Sequence, residues 1–112
     1  MEELLENARE SFESAEDDLL KKRYNSAVAS FFRAIANMCD YLIYLDMKII
    51  SKNHNERFNL LKKYFPEIYG KVFALFGKYR DSYNLRLSEK DAGEVKKYAI
   101  ELEEFIRNKK KI

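Results

Sequence analysis

The chain has little of what closes a small fold covalently or punctuates a sheet: its 112 residues include one cysteine, one histidine, one proline and three glycines. A lone Cys39 forms no internal disulfide, so a reducing compartment fits best and the residue reads as a small core side chain. A single histidine rules out a multi-histidine metal site, and no Cys/His constellation suits zinc. Three scattered glycines build no phosphate-cradling loop. Neither a metal nor a cofactor is expected. No uncharged run reaches bilayer length, and the first residues are acidic rather than basic and then apolar, which gives no signal-peptide pattern; the expectation is a soluble, cytoplasmic protein without a membrane partner. No segment alternates with the β period, and there is no internal repeat or low-complexity linker.

What the chain does have is charge and apolar bulk, 36% and 46% of residues, the composition of a helical globular protein long enough for one core. We expect one domain over residues 1–112. The formal charge of +2 conceals an asymmetry. Residues 1–20 carry eight acids against Arg9, a net of −7, which leaves +9 for the remainder. Such a dipolar chain either presents a basic surface to an anion or simply solvates two helix faces.

The periodicity predicts helices throughout. Leu5, Ala8, Phe12, Ala15 and Leu19 step by three and four, a bundle seam running from about Glu2 to Lys22. Arg23-Tyr24-Asn25 breaks it, with Asn25 or Ser26 a candidate cap for the next helix, and the short turn makes the first two helices antiparallel neighbours. That second helix, about Asn25 to Ile49, is apolar around most of its circumference. Its polar line of Ser26, Ser30, Arg33, Asn37 and Asp40 is narrow, so the helix is expected to be the bundle centre and also part of a subunit interface. Ile50 to Asn55 reads as a loop, with Asn53 or Asn55 capping a short helix through Phe65. Pro66 then forces a break. Ile68, Val72, Leu75, Tyr79 and Ser82 share one face of the following helix. Ser88 and Asp91 resemble a capping box that opens a last helix with Ala92, Val95, Ala99, Leu102 and Ile106 as its seam. The fold expected is all-α, an antiparallel up-and-down four-helix bundle with an additional short helix before the proline.

Arg80 is the side chain most out of place. Tyr69, Phe73, Phe76, Tyr83 and Leu87 fall at helical steps around it, so a permanent cation interrupts an apolar seam and, if buried, must meet a carboxylate, a carbonyl, a phosphate or water. Asn37 and Asp40 are its natural companions from the second helix, and Asp81 and Asn84 extend the polar cluster. Two readings stay open: an anion site built on Arg80, or a register-fixing pair of Arg80 with Asp40 or Asp81. Tyr41, Tyr44, Tyr79 and Tyr83 are candidates to stack on a base, although aromatics at helical spacing more often form core. His54 is either a capping or surface residue or a functional group.

Several of these residues together resemble the HEPN domains, a family of small helical bundles. They are the acidic first helix; Tyr24 followed by Ala27, Ser30, Phe31, Phe32 and Ala34; the lysine-containing loop ending at His54; Arg80 with Tyr83; and the closing helix after Ser88. The resemblance covers nearly the whole chain. It implies a homodimer whose cleft is lined by the second helix and the arginine-bearing segment. It also implies a role as a toxin–antitoxin component, with a minimal nucleotidyltransferase as partner and RNA or nucleotide as ligand. Many members resemble metal-independent endoribonucleases, in which an arginine is followed four to six residues later by a histidine. Arg80 matches the arginine, but Leu85, Arg86 and Leu87 stand where that histidine belongs. Leucine transfers no proton, and arginine is too weak an acid to exchange one at neutral pH.

The leading expectation is therefore a homodimeric HEPN-type protein binding nucleotide or RNA through Arg80, Asp40, Asn37, Asp81, Tyr83, Asn84 and His54, without the usual ribonuclease pair. The alternatives are an endoribonuclease that recruits His54 or Tyr83 for proton transfer, and a structural interaction module with no ligand.

Overall fold

A computed structural model describes residues 1–110 of the chain. It is all-helical: α1 (Glu2–Leu20), α2 (Tyr24–Met47), α3 (His54–Tyr64), α4 (Pro66–Asp81) and α5 (Glu89–Lys110), with no strand among the described residues. Helix α2 lies at the centre and touches all four others. Phe31, Phe32, Ile35, Leu42 and Ile43 are fully enclosed, each contributing about 1.5–3 kcal/mol by leaving water. The covering side chains come from this chain's own helices, among them Ala8, Ala15, Leu61, Val72, Val95 and Leu102. Within one chain α2 is therefore already the bundle centre, as its narrow polar line predicts.

Ion pairs give the helix directions. Lys96 meets Glu16 at 3.3 Å and Lys110 meets Glu2 at 3.5 Å, so α5 runs antiparallel to α1. Asn25 bonds the chain at 82–87 while Asp46 meets Lys109 at 3.7 Å, so α5 runs alongside α2 in the same sense. The first turn reverses the chain through a Schellman motif. The N–H of Arg23 donates to the Asp18 carbonyl at 2.8 Å and that of Lys22 to the Leu19 carbonyl at 3.0 Å, with Lys22 in the left-handed region at φ 61°. Helix α1 thus stops at Leu20 rather than at Lys22.

Three punctuation signals act as the sequence predicts. Asn53 caps α3, its side chain accepting from the Glu56 N–H. Pro66 occupies the first turn of α4, which continues through Gly70 and Gly77. Ser88 and Asp91 exchange hydrogen bonds, Ser88 N–H to the Asp91 carboxylate at 2.9 Å and Asp91 N–H to the Ser88 hydroxyl at 3.2 Å. The same carboxylate holds Lys78 at 2.8 Å, tying α4 to α5. The lysine and the cap together pull the Asp91 pKa down to about 2.

The expected cap of α2 is a correction. No side chain caps this helix, and neither Asn25 nor Ser26 has that role. Asn25 lies inside the first turn and bridges to the α4–α5 loop. Its Nδ2 donates to the carbonyls of Ser82 (2.9 Å) and Leu85 (2.5 Å), and its Oδ1 accepts from the Leu87 N–H at 3.0 Å. One amide satisfies three backbone groups of a loop that has no regular structure to satisfy them.

Candidate functional site

Asp40 is the one carboxylate on the enclosed part of α2, and a buried charge must be paired. Its partner is Arg57 on α3, not Arg80. Arg57 Nε donates to one carboxylate oxygen and a terminal nitrogen to the other, both at 2.9 Å, and the Ser51 hydroxyl adds a third bond at 2.5 Å. The Asp40 and Arg57 side chains are 7% and 12% exposed, so this fork is largely removed from water. The pair foreseen for Arg80 with Asp40 or Asp81 is not formed; Asp40 pairs with Arg57 instead.

Arg57 also reaches back three residues, one helical turn, to His54. Its NH1 lies 2.8 Å from His54 Nδ1. A guanidinium has only donors, so Nδ1 is the acceptor and the ring proton sits on Nε2. Burial, and then the Arg57 charge, lower the His54 pKa below its ordinary value. Among the described residues every buried side-chain nitrogen or oxygen has a partner. Nε2 has no protein partner among the described residues and hence reaches solvent as a donor. The arrangement makes His54 a neutral hydrogen-bond donor that resists taking a second proton.

His54 packs within an aromatic nest. Its ring lies 5.0 Å from Phe76 and 5.7 Å from Tyr79, and Tyr79 stacks on the buried Phe32 at 5.0 Å. The Tyr79 and Tyr83 hydroxyls are 2.8 Å apart, and this bond, with burial second, raises the Tyr79 pKa. Arg80 is exposed and places its guanidinium 5.3 Å above the Phe76 ring, a cation–π contact of about 0.5–1 kcal/mol at such a site. It makes no ion pair among the described residues. On the same face Lys62 lies over Tyr69 at 5.9 Å. Phe73 and Tyr83 are 54% and 73% exposed. The apolar seam around Arg80 is therefore a half-covered surface rather than core.

The structure brings some of the expected residues together and separates others. His54 and Asp40 join through Arg57, and Arg80 and His54 contact the same Phe76 ring. Tyr83 joins them through Tyr79. Asn37 lies elsewhere, in a shallow cleft with Asn7, Glu10, Ser14 and Arg33 between α1 and α2. Asp81 and Asn84 are exposed at the end of α4, linked by the Asn84 N–H donating to the Asp81 carbonyl at 3.2 Å, and neither side chain bonds Arg80. Sequence reasoning missed Arg57 and Ser51. The signal for Arg57 was present: an acid on an enclosed helix demands a cation, and Arg57 stands one helical turn from the lone histidine.

Among the described residues no group of three His, Cys, Asp or Glu is arranged to hold a metal ion, and none of the helices is long and apolar enough to cross a membrane. Burial pushes the Cys39 thiol up to about 12, which removes it as a nucleophile at neutral pH. Arg80 and His54, both at the Phe76 ring, and the Tyr79–Tyr83 pair beside it supply hydrogen-bond donors and flat rings. That chemistry suits an anion attached to something that stacks. No family model, curated protein or solved structure matches the chain.

Proposed function

We propose that this chain is a HEPN-type four-helix bundle, with α3 as its additional short helix, that works as a homodimeric binding protein for nucleotide or RNA without Arg/His ribonuclease chemistry. The observation that carries the reading is Arg80, an exposed guanidinium with no carboxylate partner among the described residues, set over Phe76 beside His54 and the Tyr79–Tyr83 pair. A cation flanked by accessible rings is the recurring means of holding single-stranded nucleic acid, the charge meeting phosphate and the rings meeting bases. In the homodimer the exposed side chains of Phe73, Tyr83 and Leu85 line the cleft between protomers. The toxin–antitoxin role and a minimal nucleotidyltransferase partner follow from the resemblance alone.

The geometry argues against the ribonuclease alternative. A general base at His54 would have to lose the Arg57 hydrogen bond or accept its proton at Nε2, which already carries one. The test is fluorescence anisotropy of a labelled single-stranded oligoribonucleotide with a parallel cleavage gel. Binding without cleavage is expected, with Arg80→Ala weakening it about tenfold and reducing the salt slope by about 0.7. Cleavage that disappears in His54→Ala would overturn the reading, as would binding indifferent to Arg80. A monomer by sedimentation at micromolar concentration would remove the composite cleft.

A further inference from the structure

A cavity between α1 and α5 belongs to none of this. Both helices pack on α2 but make little contact with each other, and the small side chain of Ala8 leaves a hollow of about 150 Å³. Its floor is apolar, made of Leu5, Ala8, Phe12, Met38 and Ile106, while the exposed side chains at its rim are Arg9, Arg107, Lys110 and Glu103. Three cations thus face one carboxylate. Arg107 holds that carboxylate at 2.6 Å, and Lys110 reaches Glu2 at 3.5 Å. Arg9 has no ion pair among the described residues. It is also the sole basic residue among the first twenty, which carry eight acids, and it stands at the cavity.

We propose that this cavity binds a small aromatic monocarboxylate, an arylacetate in chemical class, with its ring on the apolar floor and its carboxylate on the Arg9 guanidinium. Size suits one ring: the hollow, closed by its apolar floor and open to solvent at its charged rim, matches in volume an enclosed apolar cavity of about 150 Å³ that holds benzene. Charge selects the anion, because a guanidinium presents paired N–H donors matched to a carboxylate. Inorganic phosphate leaves the floor empty, and a neutral arene leaves Arg9 without its counter-charge.

The experiment is a two-dimensional amide NMR titration of the full chain with phenylacetate, its neutral isostere phenylacetamide, and acetate. Saturable shifts confined to the turns around Leu5–Phe12 and Glu103–Lys110 are expected for phenylacetate, with binding at least about tenfold weaker for the other two ligands. Arg9→Gln, an exposed change, brings phenylacetate down to the affinity of the amide, and Ala8→Leu fills the hollow and abolishes binding. If Ala8→Leu does not fold, Arg9→Gln decides alone. No saturation by about 10 mM phenylacetate, equal affinity for the amide, indifference to Arg9, or shifts centred elsewhere would each overturn the proposal.

Discussion

Removing the Asp40 carboxylate is the sharpest test of how α3 is held. The side chain receives two bonds from the Arg57 guanidinium and one from Ser51, at 7% exposure against 12% for Arg57. Breaking a pair buried to this degree costs about 3–5 kcal/mol, because the remaining charge loses its partner in a poorly hydrated site. Asp40→Ala should fall near the lower end, about 3 kcal/mol. Helix α3 is only 11 residues long, and its local opening lets Arg57 regain water before the whole domain unfolds. That is a large part of the roughly 5–15 kcal/mol that holds such a domain. Asp40→Ala combined with Arg57→Met removes both charges and leaves none stranded. The double variant should therefore be more stable than the sum of the singles by about 2 kcal/mol. Urea unfolding followed by far-UV circular dichroism measures all four proteins, with a fixed m-value as the check on two-state behaviour. A single-variant cost below about 1 kcal/mol, or strict additivity, would refute the argument that this fork stabilises the fold.

Three further outcomes test separate parts of the structure. The only histidine gives one unambiguous NMR titration: His54 should protonate below 6.5, and Arg57→Met should raise its pKa by removing the neighbouring charge. Because the unfolded chain takes up this proton at higher pH than the folded one, stability should fall as pH drops below 6.5 towards the folded value; a pKa above 6.5 would contradict the Nδ1 assignment. Asn25→Ala strands the carbonyls of Ser82 and Leu85 and the N–H of Leu87, and should cost about 2 kcal/mol while speeding hydrogen exchange at Leu87; an unchanged exchange rate would show that the loop does not depend on this amide. Lys22→Gly relieves a left-handed lysine at φ 61° and should raise stability by about 1 kcal/mol in the same urea assay, whereas a loss would place the value of the site in the lysine side chain.

The local grammar of this chain was readable because its signals act within one turn. Asn53, Pro66 and the Ser88–Asp91 box each work on backbone groups three or fewer residues away, and the stripe of Ile68 and Val72 is buried as its spacing implies. Asn25 was misread because its partners lie 57 to 62 residues downstream, a distance at which a capping pattern carries no information. The seam through Arg80 was misread for a related reason. Two apolar stripes adjoin on α4, and spacing alone does not say which of them meets α2. Ile68, Val72 and Leu75 take the inner place with Tyr79, which leaves Phe73 and Tyr83 half or more exposed and Arg80 at the edge.

That arrangement follows from where the acid on α2 finds its cation. Asp40 lies near the end of its helix, and the loop that leaves it brings back Ser51 and then Arg57, only 17 residues along the chain. Closing so short a segment costs less conformational entropy than bringing in an arginine 40 residues away. The nearer cation is fixed besides by its hydrogen bond to His54 on the same helix turn. Once Arg57 satisfies Asp40, the core holds no further carboxylate for Arg80 among the described residues. Its guanidinium stays at the surface over Phe76, and the charge that would otherwise have fixed helix register remains open to an anion from outside the fold. The buried pair and the exposed arginine are in that sense one result: satisfying the interior locally is what leaves the surface cation without a partner.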